Sequence, residues 1–529
     1  MSSSLLAKAV NNSFWTGIGS IGTAILGFLF AGVTIRWLGE AEAGFVIAVS
    51  TIIGINSSFS DLGLGAAATR LISKAHAEND SETIKQVAGI CLSTSLCFGV
   101  FGLGIFSLGA PFIIEWTKYS GNPETGQWYC VLSGVVFLFI QIFSSLNNLL
   151  ISLQRFDWET KLNLAFSLAN GICGITLLKA FPSILTVGIV LVSLYTLRLL
   201  FTGFGVIRVI GFLPMPYWNK NIFLELWNFG KWVYMTQITV PLLQGIDRIL
   251  IVSFFGSASL PFYAFAQNIY KIVHQTLVSQ ASYLFPMLSA QGNQLEEVAE
   301  RTEERLRWFI GLMSSLIFAG LIIVGPALLT IMVNAQFAKE ASFQLFIFCW
   351  VGYIHAQAIV TFFFGLSKGD AKGNWIFHAL AGFAILPFLS LFSITLGFRY
   401  AVLGNLAILV GVLYLCRRDK NKMPLQLFTI WFLKPLYASL ILMCVSCLLH
   451  LVLNAEKASD IAQFVALGVF YILTGLSIAR IERTYLGGKH RIETLGRALE
   501  IVFAKLGLTG KVIFRLAGIP YESVNKERA

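Results

Sequence analysis

Apolar runs of about 20 residues recur along the chain with only short polar breaks between them, and each is long enough to cross a hydrocarbon core of ~30 Å. Fourteen such runs are read, at approximately 14–36, 44–66, 87–110, 129–152, 162–180, 184–207, 230–253, 261–285, 308–332, 342–366, 375–396, 400–416, 434–453 and 461–480. The pattern predicts an all-α polytopic membrane protein of about 14 transmembrane helices. No polar stretch before residue 480 is long enough to form a separate soluble domain. The first run, Phe14 to Leu38, is too long for a signal-peptide core and has no convincing cleavage site, so it reads as a first spanning helix.

Polar residues within the runs fall at helical spacing. Span seven carries Tyr234, Gln237, Pro241, Gln244 and Arg248 at steps of three and four, with Asp247 alongside, and span eight carries Gln267, Lys271, His274 and Gln275. Span four offers Gln141, Ser145, Asn148 and Ser152; span two offers Ser50, Gly54, Ser57 and Asp61; span one offers Ser13, Thr16, Ser20, Thr23 and Gly27. Small-residue stripes serve helix packing as readily as function. Amides and ionisable groups at membrane depth are costly and generally face a partner or a wet cavity. Asp247 and Lys271 fit an ion pair between adjacent helices or a substrate site, and both readings stand. An unpaired Arg248 or Arg198 would attract phosphate. Pro241 leaves one helix carbonyl unpaired and offers a bend.

Composition strengthens the membrane reading, since 56% of the 529 residues are hydrophobic and only 12% charged, against about a quarter in soluble domains. Mean hydropathy is +0.75. The net charge of +11 lies between apolar runs and in the C-terminal tail, which argues for topology rather than nucleic-acid binding. With the N-terminus inside, cytoplasmic loops hold Arg70, Lys74 and Lys85, then Arg155 and Lys161, then Arg208, Lys220 and Lys231, then Arg301, Arg305 and Arg307, then Lys368 and Lys372, then Arg417, Arg418, Lys420 and Lys422. The opposite loops hold single cations such as Arg36, Lys118 and Lys339. This alternation places both termini on the cytoplasmic side of the membrane.

Enzyme signals are lacking. Gly510-Lys511 is followed by Val512 and Gly488-Lys489 by His490, where a phosphate loop requires Ser or Thr. The six histidines show no ligand spacing, and Cys444-Val-Ser-Cys447 lies within an apolar run without nearby ligands. No catalytic residue, metal or cofactor is expected. Residues Arg491 to Leu506 form a basic amphipathic helix suited to the anionic leaflet, or to a cytosolic partner.

A weak internal repeat matches Leu38-Gly39 and Phe45 with Phe255-Gly256 and Phe262. It suggests two pseudo-symmetric six-helix lobes around a central cavity, 1–207 and 208–416, with two added helices in 417–480 and a basic cytoplasmic tail in 481–529.

Several motifs carry a family likeness. Arg36-Trp-Leu-Gly-Glu-Ala-Glu-Ala-Gly44 resembles the turn after the first helix of Wzx-type polysaccharide flippases. Asp61-Leu-Gly-Leu64 followed by Arg70, then Asp247-Arg-Ile-Leu-Ile251 with Phe255-Gly256, Tyr263 and Ala266, resemble that family's motifs at helices two, seven and eight. Phe285-Pro286 fits the family's proline closing helix eight. The likeness spans most of the first 290 residues. It implies the multidrug/oligosaccharidyl-lipid/polysaccharide exporter superfamily, alternating access, and coupling to a proton or sodium gradient. It further implies a polyprenyl-pyrophosphate-linked oligosaccharide as substrate, as in O-antigen and lipopolysaccharide assembly, with membrane lipids and a glycan polymerase as partners. Under this reading Arg248, Lys271, Asp247, Gln244, Gln237, Gln267, Gln275, Asn148 and Arg198 line the substrate cavity, and Asp61, Arg70, Arg36 and Pro241 serve gating or coupling. The alternatives are a multidrug antiporter of the same superfamily, a lipid II flippase and, from another class, a membrane glycosyltransferase or glycan polymerase.

Overall fold

A computed structural model describes residues 26–60, 62–153, 155–281, 296–367, 370–418, 423–453 and Gly468. The longer elements among them are all helical. They are α1 (Leu26–Leu38), α2 (Glu40–Ser60), α3 (Leu64–Ala77), α4 (Ser81–Leu108), α5 (Ala110–Trp116), α6 (Pro123–Ser152), α7 (Phe156–Ala180), α8 (Ile184–Ile210), α9 (Lys220–Phe255) and α10 (Leu260–Ala281). There follow α11 (Glu296–Met332), α12 (Ala335–Ala356), α13 (Ala358–Ser367), α14 (Ala371–Leu396), α15 (Phe398–Ala401), α16 (Ile408–Arg418), α17 (Leu425–Leu433) and α18 (Tyr437–Leu453). Helix starts are fixed by short polar side chains. Asp80 accepts from the Thr83 N–H ahead of α4, Asn219 from the Asn221 and Ile222 N–H groups ahead of α9, and Asn334 from the Phe337 N–H ahead of α12.

Ten helical stretches among the described residues are long and apolar enough to cross a membrane, and the chain is a multi-pass membrane protein. α9 and α10 run 36 and 22 residues and carry the amides and charges of the polar stripes. Twelve of the expected spans, from the second to the thirteenth, coincide with described helices, and the first is represented by α1. The fourteenth span, apart from Gly468, and the amphipathic tail lie outside the described residues.

Two compact units make up the chain. One holds the described residues up to Asn268 together with Leu386–Gly404; the other holds Ile269–Ile385 and the described residues from Asn405 onward. The first unit has one apolar cluster around Ile72, Val87, Ile90, Leu150 and Val206, and another around Phe45, Phe106, Tyr129 and Phe137. In the second unit Phe377, Val412, Leu415 and Phe428 pack together.

The repeated Leu-Gly and Phe-Gly positions share a backbone state. Gly39 and Gly256 both sit at positive φ, 81° and 82°, which a residue with a Cβ adopts only with strain. Elsewhere in the first unit, a Cβ on Gly63 would lie 2.2 Å from the Gly230 carbonyl oxygen, and one on Gly230 would lie 2.6 Å from the Gly63 oxygen. The start of α3 and the body of α9 therefore meet backbone to backbone. Tyr234 fastens the same crossing by donating to the Phe59 carbonyl at 3.1 Å.

Candidate functional site

Within the first unit, α9 and α10 place one anion and one cation around a shared amide. Asp247 is 3% exposed and accepts from the Tyr263 hydroxyl at 2.8 Å, from the Arg248 backbone N–H at 2.8 Å and from the Gln267 amide nitrogen. The oxygen of that same Gln267 amide accepts from Arg248 Nε at 2.6 Å, and Asn268 Oδ1 accepts from Arg248 Nη2 at 2.6 Å. Gln267 thus donates to the carboxylate and accepts from the guanidinium, which fixes the orientation of its amide. Bonds to ionised groups are the stronger kind, so the guanidinium is held in a set direction. Sequence spacing allowed an Asp247–Lys271 pair; the carboxylate's partners in this unit are Tyr263, Gln267 and the backbone.

The other expected cavity residues are distributed as follows. Asn148, Gln141, Ser144 and Ser145 of α6 face Ser57 and Ser60 of α2 and Thr94 and Ser95 of α4 around a cavity of about 60 Å³. Ser60 donates to Gln141 Oε1 at 2.6 Å, while the Gln141 amide nitrogen is shut off from solvent with no partner. A cavity of that size and polarity suits water. The stripes of spans two and four therefore meet around one polar void. Arg198 of α8 donates to Asn163 of α7, and its guanidinium lies 3.8 Å from the Phe143 ring centre and 4.7 Å from that of Phe166. It is a caged cation rather than a bare one. Lys271 is half-buried in α10 and Gln275 is exposed; Arg36 and Arg70 are exposed on α1 and α3. Gln237, Pro241 and Gln244 fall within α9 with side chains outside the described set, and Asp61 lies outside the described residues.

Two groupings were not anticipated from the sequence. Arg155, Lys161 and Arg208, counted there only as loop charges, line a cavity of about 620 Å³ with Trp158 and Phe201. Three of the six histidines, His274, His355 and His378, gather in the second unit, where His274 and His355 stack with ring centres 3.7 Å apart. Their separations in sequence carry no periodic signal.

Comparison with solved structures gives the class. The fold matches the lipid II flippase MurJ in an inward closed conformation with a TM-score of 0.69 at 15% identity, covering 90% of this chain and all of that one. An inward-facing multidrug resistance MATE family transporter of the MOP superfamily matches with a TM-score of 0.60 at 14% identity, covering 82% of this chain and 96% of that one. This is the fold of MOP-superfamily transporters. The chain belongs to the polysaccharide biosynthesis protein family, whose pattern matches residues 9–291. A candidate O-antigen transporter of Shigella flexneri is 25% identical over 422 residues, covering 75% of this chain and 92% of that protein.

Proposed function

We propose that this chain flips a polyprenyl-pyrophosphate-linked oligosaccharide, of the kind used for O-antigen, from the cytoplasmic to the outer leaflet of a bacterial inner membrane. It does so by alternating access coupled to an ion gradient, with both termini in the cytoplasm, and hands its cargo to a glycan polymerase. The family match and the relation to a candidate O-antigen transporter support the substrate class. The observation that carries the mechanism is Arg248, a guanidinium oriented at membrane depth by the amide oxygens of Gln267 and Asn268. A cation held this way can receive a pyrophosphate without first reorganising. The sugar head is too polar for hydrocarbon, whereas the polyprenyl tail can remain in lipid, so only the head needs a protein-lined route.

The test is reconstitution of the full chain into proteoliposomes bearing a labelled lipid-linked oligosaccharide, followed by the rate at which the sugar becomes accessible on the opposite face. Wild-type protein is expected to accelerate flipping. Arg248→Ala and Lys271→Ala are expected to lower the rate about tenfold or more at normal abundance, the loss of one charge-assisted contact. Wild-type rates in both variants would remove these residues from the route, and lipid II moved in preference to other lipid-linked oligosaccharides would favour that alternative.

A further inference from the structure

The second unit contains a cluster that the flipping route above does not use. His274 of α10 and His355 of α12 stack nearly parallel, with ring centres 3.7 Å apart and planes 11° apart. Tyr270, one turn before His274, has its hydroxyl 2.7 Å from His355 Nδ1, and its ring stacks on Phe348. His378 of α14 sits within electrostatic reach of both imidazoles and packs against Phe377 and Phe362. His274 Nδ1 is closed off from solvent and has no hydrogen-bond partner.

Stacked neutral rings attract, and one proton on the stack is tolerated, but two cations this close repel strongly. The pair therefore holds one proton or none. The tyrosine hydroxyl serves both states, because it can donate to a neutral His355 nitrogen or accept from a protonated one. What surrounds the pair leaves an added charge exposed. α10, α13 and α14 contain no Asp or Glu. Glu340 of α12 lies fifteen residues before His355, about 22 Å along a helix. Glu303 of α11 accepts from Thr361 at 3.1 Å. Lys271, next to Tyr270, adds a cation on the same helix. Metal binding is the weaker reading, since parallel rings do not converge their nitrogens and no group of three metal-binding side chains is found among the described residues.

We propose that the His274–His355 stack, with His378 beside it, is the proton-binding site that couples this protein to a proton gradient. The step is reversible. A hydronium ion on the acid side gives its proton to one imidazole nitrogen, so an O–H bond breaks, an N–H bond forms, water is left behind and the stack becomes monocationic. The same bond breaks to water on the other side and restores the neutral rings. Because α10, α13 and α14 bring no carboxylate to compensate the charge, the affinity for the proton depends on what faces the rings, so the protonated and neutral forms favour different conformations. This deepens the flippase reading and rests on it.

Two measurements separate the two claims. In detergent, without any transport, a pH jump to acid on the purified full chain followed with a soluble pH dye should show proton uptake that falls in His274→Gln and in His355→Gln. Equal uptake in the variants overturns the proposal whether or not the protein flips lipid. In proteoliposomes, an imposed proton gradient should raise wild-type flipping about tenfold, within the usual span of coupling between two sites. A sodium gradient alone should not. His274→Gln should keep slow flipping yet lose the response to the gradient. Flipping that stays gradient-driven in that variant also overturns the proposal, whereas no flipping in wild type under any gradient overturns the flippase reading instead. Should His355→Gln fail to fold, Tyr270→Phe and His378→Gln replace it. Both must shift the pH midpoint of uptake, and an unshifted midpoint in both counts against the site.

Discussion

The α9–α10 network and the histidine stack are two answers to the same problem, a polar group inside a membrane protein. Around Gln267, opposite charges are present together, and each is satisfied by neighbours on two adjoining helices. Around His274 and His355 there is no formal charge of opposite sign on the adjoining α13 and α14, and one ring nitrogen has no partner at all. The first arrangement is expensive to disturb. The second is comfortable while neutral and responds as soon as a proton arrives. The difference teaches that a permanent charge and a conditional charge call for opposite surroundings. A permanent one is anchored by fixed dipoles, and a conditional one is left without a fixed counter-charge.

This contrast can be broken most forcefully at Gln267. Gln267→Leu removes the donor to Asp247 and the acceptor for Arg248 together, leaving both charges short of a partner at depth. The expected loss is roughly 3 kcal/mol of stability, and it should be nearly the same at pH 6 and pH 8 when melting is followed by intrinsic fluorescence. A loss that vanished at one of those pH values would mean the network titrates and is not the fixed half of the pair. Tyr263→Phe is gentler, since Asp247 keeps two of its three donors. About 1.5 kcal/mol should go, read as a lower Tm. Smallest of all is Asp80→Ala at the exposed start of α4. The Thr83 hydroxyl, 2.6 Å away, and the Thr83 N–H hold the Asp80 carboxyl below its ordinary value. The stabilisation from this cap is present above the unfolded carboxylate pKa of about 4 and disappears as pH falls through the lower folded value. Wild type and variant should therefore differ at pH 7 and converge below pH 3.

Much of the architecture is legible in the amino-acid order because a membrane imposes it. An apolar run near 20 residues has few alternatives to a spanning helix, and the paired positions Gly39 and Gly256 marked the same kind of turn twice. The stripes on α9 and α10 were legible for the same reason, since Gln267 and Arg248 repeat at helical spacing. What spacing does not encode is which stripe meets which. Residues 274, 355 and 378 are brought together only by the packing of three helices, so their isolation along the sequence reads as scatter. Arg198 is similar, for its aromatic cage draws Phe143 and Phe166 from two other helices. The role of Arg155, Lys161 and Arg208 is obscured differently. Cations at helix ends have a ready explanation in topology, which hides the fact that three of them border one hollow.

The crossing at Gly63 and Gly230 carries a mechanical consequence. Where two helices meet through side chains, ridges interlock with grooves, and lengthwise slip must unseat them. At this crossing two peptide groups abut directly, while Leu226 of α9 shares a buried apolar cluster with Leu64, Ala67 and Ala68 of α3. The backbones are therefore held at a separation that only glycine permits, and the Tyr234 bond to Phe59 fixes it. Alanine at either glycine would drive its Cβ into the opposing carbonyl and wedge the two segments apart.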